Sequence, residues 1–300
     1  MQEIAVKDLR GKRLAVDASI YMYKFLGDQC LLPGIYQMCT LLQRWGVEAV
    51  FVFDGAPPAE KLQAQRERLK RKEEAYAARQ RLEAEVAARS GPVDSATNAE
   101  LALLRRRSLR LGRRRVAEVR DLLVCLGVPS MDAAGEADCV CAGLVASGDC
   151  WGCLSDDTDL FVSGCPRVLR RLCLEKGTCD FYDWEGQRRA LGISQEEFQI
   201  VCAAAGCDYG HGVPGLGLCE AWDLWSGWRK AGASSGRTLA EHLVSEGISQ
   251  RGGDARAIEG AASVFKEMGE QLHRAPAAPA HSSTATREFL ETHGFVFACE

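Results

Sequence analysis

The chain has 300 residues, of which 47% are apolar, and its formal net charge is -4. This length fits one large domain, or one domain with an appendage, and the apolar content suffices for a buried core. No apolar run reaches the roughly 18–20 residues of a membrane span, and the amino terminus lacks the charged and then apolar layout of a signal peptide. The sequence therefore argues against a membrane protein, a secreted protein and a uniformly basic nucleic-acid binder, and we expect an intracellular protein.

The 14 cysteines would indicate disulfides in a short secreted chain, which this is not. Cys150 and Cys153 form a Cys-x-x-Cys pair, a spacing also typical of zinc and redox sites. A structural zinc site needs four ligands, and no second pair follows at a suitable spacing. We therefore interpret this pair as buried or incidental thiols, and most of the other cysteines as small apolar residues within apolar stretches.

The first half of the chain alternates short apolar segments with helical patterns. Two segments, each ending in an aspartate, predict buried strands at 13–17 and 48–54. The helical patterns cover 19–28, 34–46, 59–89 and 99–126, with a break at 90–95. A short extended piece follows at 128–131.

The second half continues the alternation. A helix is predicted at 135–148, a strand at 151–155, a strand pair near the sheet edge at 167–174 and 179–184, and a helix at 195–205. This order predicts an α/β fold with a mostly parallel central sheet flanked by helices. We divide the chain into a core at 1–230 and a carboxyl-terminal extension at 231–300, in which residues 274–286 resemble a linker or disordered segment.

Seven carboxylates fall in four clusters: Asp17; Asp54; Glu136 and Asp138; Asp157 and Asp159 together with the later Asp208. Most of them directly follow predicted strands, and ligands of open α/β sheets bind beyond the carboxyl ends of the strands. Gathered in one cleft they would repel one another, and hard divalent cations such as Mg²⁺ relieve that repulsion. Two such ions about 4 Å apart can promote cleavage of a phosphodiester.

A plainer interpretation exists for each carboxylate alone. An aspartate after a strand is commonly a helix cap, and Asp17 fits that role. Four clusters in similar settings favour the metal site over a set of unrelated caps.

Five segments resemble, in order, the motifs of the flap endonuclease and xeroderma-pigmentosum-G family of structure-specific 5′ nucleases. They read LAVDAS (14–19), VFVFDGAPPAEK (50–61), GVPSMDAAGEAD (127–138), SDDTDLFVSG (155–164) and AAGCDYGHGVPGLG (204–217). The resemblance covers roughly residues 10–225 and implies a PIN-like nuclease core. It also implies that the seven carboxylates hold two Mg²⁺ ions, for which Mn²⁺ substitutes.

The resemblance assigns basic residues as well. Lys61 and Arg68 match the positions that contact the scissile phosphate, where they would neutralise developing charge. A solvated charged helix is the alternative, and it stays open for Lys70, Arg71 and Lys72. Residues 59–126 match the family's helical arch.

Cations are concentrated on the second helical run of that arch. From Arg105 to Asp121, Glu118 and Asp121 are the acidic residues that oppose them, which favours a surface that follows nucleic-acid phosphates. We expect contacts from Arg105, Arg106, Arg107, Arg113, Arg114 and Arg115.

Residues 206–228 resemble the family's helix–hairpin–helix element. Gly215 and Gly217 would let backbone N–H groups approach a duplex phosphate, and the resemblance implies a K⁺ ion at this hairpin.

The implied function is a 5′ endonuclease and exonuclease that hydrolyses DNA at flaps or branched junctions, in replication, repair or recombination. We expect a monomer in the nucleus, or at a cytoplasmic site of viral replication. Two alternatives stay open: a ribonuclease on the same fold, and a non-catalytic nucleic-acid-binding scaffold.

The chain departs from the family's pattern in several places. Met1-Gln2-Glu3 replaces the usual Met-Gly-Ile-x-Gly-Leu start, which predicts a looser active site. Residues 218–222 lack the usual cations, which predicts weaker gripping of duplex DNA. Asp138 stands where Glu is usual, and no sliding-clamp motif ends the sequence. We expect a compact, divergent member of the family, such as a viral one.

Overall fold

The computed structural model describes residues 1–56, 61–88, 93–231, 237–246, 253–269, 274–279 and 283–295. Residues 90–92 of the predicted break at 90–95, residues 280–282 of the predicted linker and the last five residues (296–300) lie outside these ranges. None of the helices in this described part has the length and apolar character that crossing a bilayer requires.

A mixed sheet forms the centre of the molecule. Its strands are β1 (Gln2–Ala5), β2 (Arg13–Asp17), β3 (Glu48–Phe53), β4 (Ser130–Asp132), β5 (Gly152–Leu154), β6 (Arg167–Cys173) and β7 (Thr178–Asp183). They lie in the order β1-β7-β6-β5-β2-β3-β4. Strands β2 to β6 pair in parallel, whereas β7 is antiparallel to β6 and β1 is antiparallel to β7. The predicted mostly parallel α/β sheet is confirmed.

The helices surround this sheet. They are α1 (Ala18–Gly27), α2 (Leu31–Arg44), α3 (Leu62–Ala88), α4 (Ser95–Arg107), α5 (Arg113–Cys125), α6 (Ala137–Ala146), α7 (Asp159–Val162), α8 (Trp184–Leu191), α9 (Gln195–Ala205), α10 (Leu218–Lys230), α11 (Leu239–Glu246), α12 (Ala255–Gly269) and α13 (Ser283–Thr292). Short β1, α7 and α8 were absent from the sequence prediction.

Alternating side chains of the strands supply two cores, one on each face of the sheet. In β2, Leu14 and Val16 join a core with α1, α2 and α5, whereas Ala15 faces the other core with α6. All three side chains are fully buried. Successive strand residues point to opposite faces, so this sequence fixes the strand between two helical layers.

The predicted helix 99–126 is wrong in its extent, because two helices occupy this region. Helix α4 begins earlier, where Asp94 caps the N–H of Thr97 at 2.9 Å. It ends near Ser108, whose hydroxyl donates to the carbonyl oxygen of Arg105 at 3.2 Å. Such a local bond competes with helix continuation, and Gly112 before α5 further disfavours it.

A third core lies among α9, α10, α11 and α12, where Trp225, Leu243 and Ile258 are buried. Helix α9 spans Gln195–Ala205, as predicted. Two of these helices belong to the segment after residue 230, so that segment packs against the core. The division of domains at residue 230 stays a prediction.

Residues 274–279 have no regular secondary structure and cross the amino-terminal edge of the sheet. The Arg13 guanidinium donates to the carbonyl oxygen of Pro276 at 2.6 Å, and the Ala275 N–H donates to Asp149 at 3.0 Å. The predicted linker or disordered segment 274–286 is wrong from residue 283 onward, where α13 begins.

The Cys-x-x-Cys pair is part of a core. Cys150 and Cys153 are free and fully buried, and burial raises the pKa of the Cys150 thiol to about 12. A buried neutral thiol packs as a small apolar side chain, in agreement with the sequence interpretation.

Gly55 lies where the loop after β3 meets the loop after β4. Its N–H donates to the carbonyl oxygen of Gly135 at 2.7 Å. A Cβ atom at this position would lie 2.0 Å from the carbonyl oxygen of Ala133. Only glycine therefore permits this approach of the two loops.

We expect Gly55→Ala to lower the free energy of unfolding by about 2 kcal/mol or more, because the backbone must move to accept the methyl group. Urea denaturation measures the change. Gly227→Ala in α10 is the control, because its Cβ would meet no atom within 4 Å. A loss in Gly55→Ala no larger than in the control would contradict the steric argument.

Candidate metal centre and active site

The parallel strands end in carboxylates at one edge of the sheet. Asp17 is the last residue of β2, Asp54 follows β3, and Asp157 lies shortly after β5. The chain runs from β2 through β3 to β4 on one side and returns to β5 on the other side of β2. The carboxylates therefore lie around the switch point of the sheet, where ligands of such folds bind.

Asp17 is both a helix cap and a lining residue of the site. One carboxylate oxygen accepts from the Ile20 N–H of α1 at 3.2 Å, and the other accepts from the Ser155 hydroxyl at 3.0 Å. Its exposed fraction is 5%. The capping role considered from the sequence and a place in the acidic site are thus compatible.

Asp54 connects three elements. It accepts hydrogen bonds from the Ser19 hydroxyl on α1 and, at 2.9 Å, from the Ala137 N–H that begins α6. Because Glu136 immediately precedes α6, this bond brings the second and third carboxylate clusters together.

Lys61 lies among the carboxylates and is 8% exposed. Its Nζ is 2.5 Å from Oε2 of Glu136 and 3.2 Å from Oδ2 of Asp208. Arg68 lies on α3, about two helical turns after Lys61, and its guanidinium is 3.2 Å from the same oxygen of Asp208. The two predicted phosphate-binding cations therefore contact predicted metal ligands in this structure.

The segment after β5 contributes another pair of carboxylates. The Asp157 N–H donates to the Ser155 hydroxyl at 3.1 Å, and the Asp159 N–H donates to Oδ1 of Asp157 at 2.9 Å. Asp156 instead accepts from the backbone N–H of Arg171, 2.5 Å away, on β6.

Two adjoining cavities contain the predicted residues. A cavity of about 530 Å³ is lined by Asp17, Asp54, Glu136, Asp138, Asp157, Lys61 and Arg68. A neighbouring cavity of about 770 Å³ is lined by Asp159 and Asp208, among other residues. The structure therefore collects the seven carboxylates at one edge but distributes them between two cavities that share no lining residue.

Burial and repulsion raise the proton affinity of these carboxylates. Burial, followed by repulsion from Asp54, raises the pKa of Asp17 to about 7. Burial and repulsion from Glu136 raise the pKa of Asp138 well above its ordinary value, and burial with repulsion from Asp157 raises that of Asp159 to about 6. The site is therefore short of positive charge.

The Lys61 ammonium partly compensates for this shortage. Burial lowers its pKa, but the hydrogen bond and charge of Glu136 outweigh burial and raise the pKa above its usual value. Lys61 is therefore a permanent cation in the site.

The donor chemistry fits a hard divalent cation, since carboxylate oxygens are its preferred protein ligands. As the side chains stand, however, no three potential ligands of the described residues are arranged to hold one ion. Their oxygens instead accept bonds from Lys61, Ser155, Ser19 and backbone N–H groups. A bound ion would replace some of these donors.

The arch cations differ in how they are paired. Arg114 and Arg115 both contact Glu118, at 2.9 and 3.1 Å. Arg105 lies 3.4 Å from Glu83 of α3, an acidic partner that the sequence pattern of one helix did not reveal. Within the described ranges, the arginines that form no ion pair include Arg106, Arg107 and Arg113.

The predicted hairpin forms a turn before α10. Gly215 has a φ of +81°, which favours glycine, and Gly217 is the residue that caps α10. The Gly217 N–H donates to the Glu220 carboxylate at 3.3 Å. A carboxylate of the chain itself therefore lies where a phosphate oxygen would approach.

Sequence reasoning missed three residues of the site. Ser19 bonds to Asp54, Ser155 bonds to Asp17, and Tyr209 donates to Glu136 at 2.7 Å. Each of them lies within one of the five motifs, close to a predicted metal ligand. This proximity in the sequence is the feature that could have indicated a role in the site.

The fold and site define an α/β protein with an acidic centre at the carboxyl edge of its sheet. Two cations adjoin this centre, the buried Lys61 and Arg68 of α3. Residues 1–75 match the XPG N-terminal domain, and residues 127–208 match the XPG I-region. The chain belongs to the flap endonuclease and XPG family.

A curated relative of similar sequence agrees with this assignment. Flap endonuclease 1 of Drosophila yakuba is 31% identical over 248 residues, which are 76% of this chain and 61% of that relative. The chain thus spans about three fifths of the length of this curated relative.

Two solved structures share the fold. The catalytic core of Rad2 in complex with a DNA substrate has a TM-score of 0.68 and 23% identity, over 97% of this chain and 89% of that one. Human GEN1 in complex with Holliday junction DNA has a TM-score of 0.64 and 23% identity, over 98% of this chain and 71% of that one.

The raised pKa of Asp17 predicts a pH dependence of stability. An unfolded aspartate titrates near 3.8 and the folded one at about 7, so the folded state binds the proton more tightly. This group's contribution is fully present below pH 4 and is lost as pH rises through 7. We expect Asp17→Asn, which keeps the cap, to raise the free energy of unfolding at pH 8 by on the order of 3 kcal/mol.

Urea denaturation of EDTA-treated protein at pH 5 and pH 8 measures this effect. Asp223→Asn on the exposed face of α10 is the matched control. A gain at pH 8 that is no larger than the gain at pH 5 would contradict the repulsion argument.

Proposed function

We propose that this protein is a structure-specific 5′ nuclease that hydrolyses DNA phosphodiester bonds at flaps or branched junctions, as endonuclease and as 5′ exonuclease. One observation carries the proposal: within a cluster of carboxylates, Nζ of Lys61 lies 2.5 Å from Oε2 of Glu136, and Arg68 contacts Asp208 beside it. Such a site can bind both divalent cations and a phosphate. The relatives named flap endonuclease, and the DNA-bound Rad2 and GEN1, support the substrate class.

We assign two Mg²⁺ ions to the site, with Mn²⁺ as a substitute. The residues that would hold them are Asp17, Asp54, Glu136, Asp138, Asp157, Asp159 and Asp208. When bound, divalent ions supply the Lewis acidity that phosphodiester hydrolysis requires. Their charge also relieves the repulsion that raises the pKa of Asp17 and Asp138.

Lys61 and Arg68 act on the scissile phosphate. Both now contact Asp208, and Lys61 also contacts Glu136. In the substrate complex they exchange these carboxylates for phosphate oxygens and stabilise the charge that develops during hydrolysis. The low exposure of Lys61 strengthens this interaction, because little water screens it.

DNA contacts away from the chemistry are assigned to the arch and the hairpin. The arch arginines are Arg105, Arg106, Arg107, Arg113, Arg114 and Arg115. Gly215 and Gly217 approach a duplex phosphate, with a K⁺ ion at the hairpin. Because Glu220 already occupies the Gly217 N–H, we assign the hairpin a weaker share of duplex binding than the arch.

The proposed setting is DNA replication, repair or recombination, with the protein acting as a monomer in the nucleus. The eukaryotic flap endonuclease relatives support this placement.

A labelled DNA flap incubated with Mg²⁺ tests the activity. We expect cleavage at the flap base, and a loss of about 100- to 1,000-fold in Lys61→Ala, because a phosphate-stabilising cation is removed. Asp157→Ala should be inactive, whereas Arg189→Ala, at an exposed position of α8 outside the arch, should match the unaltered protein.

A matched RNA flap belongs in the same experiment. Absence of DNA cleavage, or cleavage that survives Asp157→Ala, would refute the proposal. Faster cleavage of the RNA flap would move the activity to a ribonuclease.

Salt dependence tests the arch. Replacing Arg106, Arg107 and Arg113 by Ala should weaken DNA binding and reduce the slope of log K against log salt by about 2–3, if each contacts one phosphate. Fluorescence anisotropy with Asp157→Ala protein measures it. The control is replacement of Arg189 and Arg287, which lie outside the arch and pair with Glu185 and Glu291 within their own helices, α8 and α13. An unchanged slope would exclude these arch contacts.

A further inference from the structure

Tyr209 joins the loop after α9 to the acidic site. Its hydroxyl donates to Oε2 of Glu136 at 2.7 Å. Its ring lies 5.6 Å from Nζ of Lys61. One side chain therefore contacts both a carboxylate of the third cluster and the buried lysine.

The hydroxyl contact holds Glu136 in one orientation. Lys61 and Tyr209 both bind the Oε2 oxygen, and within the described ranges the Oε1 oxygen accepts no hydrogen bond. When Lys61 leaves for a phosphate, Tyr209 is the donor that stays. Glu136 then keeps one oxygen fixed and presents the other to the cavity.

The ring of Tyr209 is itself held by the carboxyl-terminal part of the chain. It packs edge-on against Phe265 of α12, with ring centroids 4.8 Å apart and an interplanar angle of 88°. Phe265 is 2% exposed. The loop of Tyr209 is closed by backbone bonds between Cys207 and Gly210 at 2.9 and 3.1 Å. The phenol therefore has little freedom to leave Glu136.

We propose that Tyr209 is a positioning residue, which orients Glu136 for a divalent cation and places Lys61 beside it, and that α12 fixes Tyr209 through Phe265. This assignment rests on the proposed function for its effect on cleavage. It makes part of the segment after residue 230 a component of the active site.

Tyr209→Phe tests the hydroxyl alone, because the ring and its packing on Phe265 remain. Tyr36→Phe is the matched control, since that ring packs on Phe295, 5.7 Å away, in another part of the fold. Two measurements are made: calorimetric titration of DNA-free protein with Mn²⁺, and kcat and KM on a 5′ flap with Mg²⁺.

In Tyr209→Phe we expect the Mn²⁺ Kd to rise and kcat to fall, each by about 10-fold or more, as for other partners of metal ligands. KM for DNA should stay within about twofold, because the hydroxyl is bonded to Glu136 and its assigned role is to orient that carboxylate. Tyr36→Phe should leave all three values unchanged. Thermal unfolding shows whether each variant is folded.

An Mn²⁺ affinity in Tyr209→Phe equal to that of the unaltered protein would overturn the proposal, as would absence of Mn²⁺ binding by the unaltered protein. The outcome is separable from that of the nuclease proposal. A protein that binds Mn²⁺ but cuts no DNA refutes the nuclease, while the titration still decides the role of Tyr209.

Phe265→Leu tests the part assigned to α12. Leucine keeps an apolar side chain at position 265 but removes the edge-on contact with the ring of Tyr209. We expect a smaller loss of Mn²⁺ affinity than in Tyr209→Phe. An unchanged affinity would overturn the role of α12.

Discussion

Carboxylates converge at the carboxyl edge of the sheet because parallel strands that end in or near aspartates must all deliver them there. The effect of this convergence is clearest at Asp17 of β2 and Asp138 of α6, where burial and repulsion between carboxylates raise the pKa of both groups. Bringing charges together in this way costs stability, and the fold bears that cost at the site where cations and phosphate would meet. Lys61, among Glu136 and Asp208, offsets part of it.

The same requirement explains how the surrounding elements are tied together. Gly55 allows the loops after β3 and β4 to approach, so that Asp54 reaches the first N–H of α6. Ser155 bridges the ends of β2 and β5 by bonding to Asp17. These contacts are short polar links between strand ends, and the two apolar cores behind them hold the sheet rigid. Precision at the site thus depends on burial elsewhere.

The sequence predicted what periodicity and turn chemistry control, such as β2, α9 and the position of the carboxylates after strands. It did not predict β1, whose four residues are partly or fully exposed and lack a regular apolar pattern. It also missed Tyr209 as a partner of Glu136, since these residues are 73 positions apart and only tertiary packing joins them. The break at Ser108 was missed because its hydroxyl bond competes with a locally favourable helical pattern.

Charge pairing across the arch changes what the arginine-rich run can do. Glu83 and Glu73 of α3 contact Arg105 of α4 and Arg110 of the segment that follows α4, so acidic residues of α3 pair with cations in and just after the next helix. Exposed pairs of this kind are weak, and a DNA phosphate can displace them at small cost. On the proposed function, the arch therefore binds DNA through a few free arginines and a set of exchangeable ones. On this proposal, the surface favours substrates whose single strand lies along α3 and α4. The hairpin is a weaker site for duplex DNA, because the Glu220 carboxylate already accepts from the Gly217 N–H and would repel an approaching phosphate.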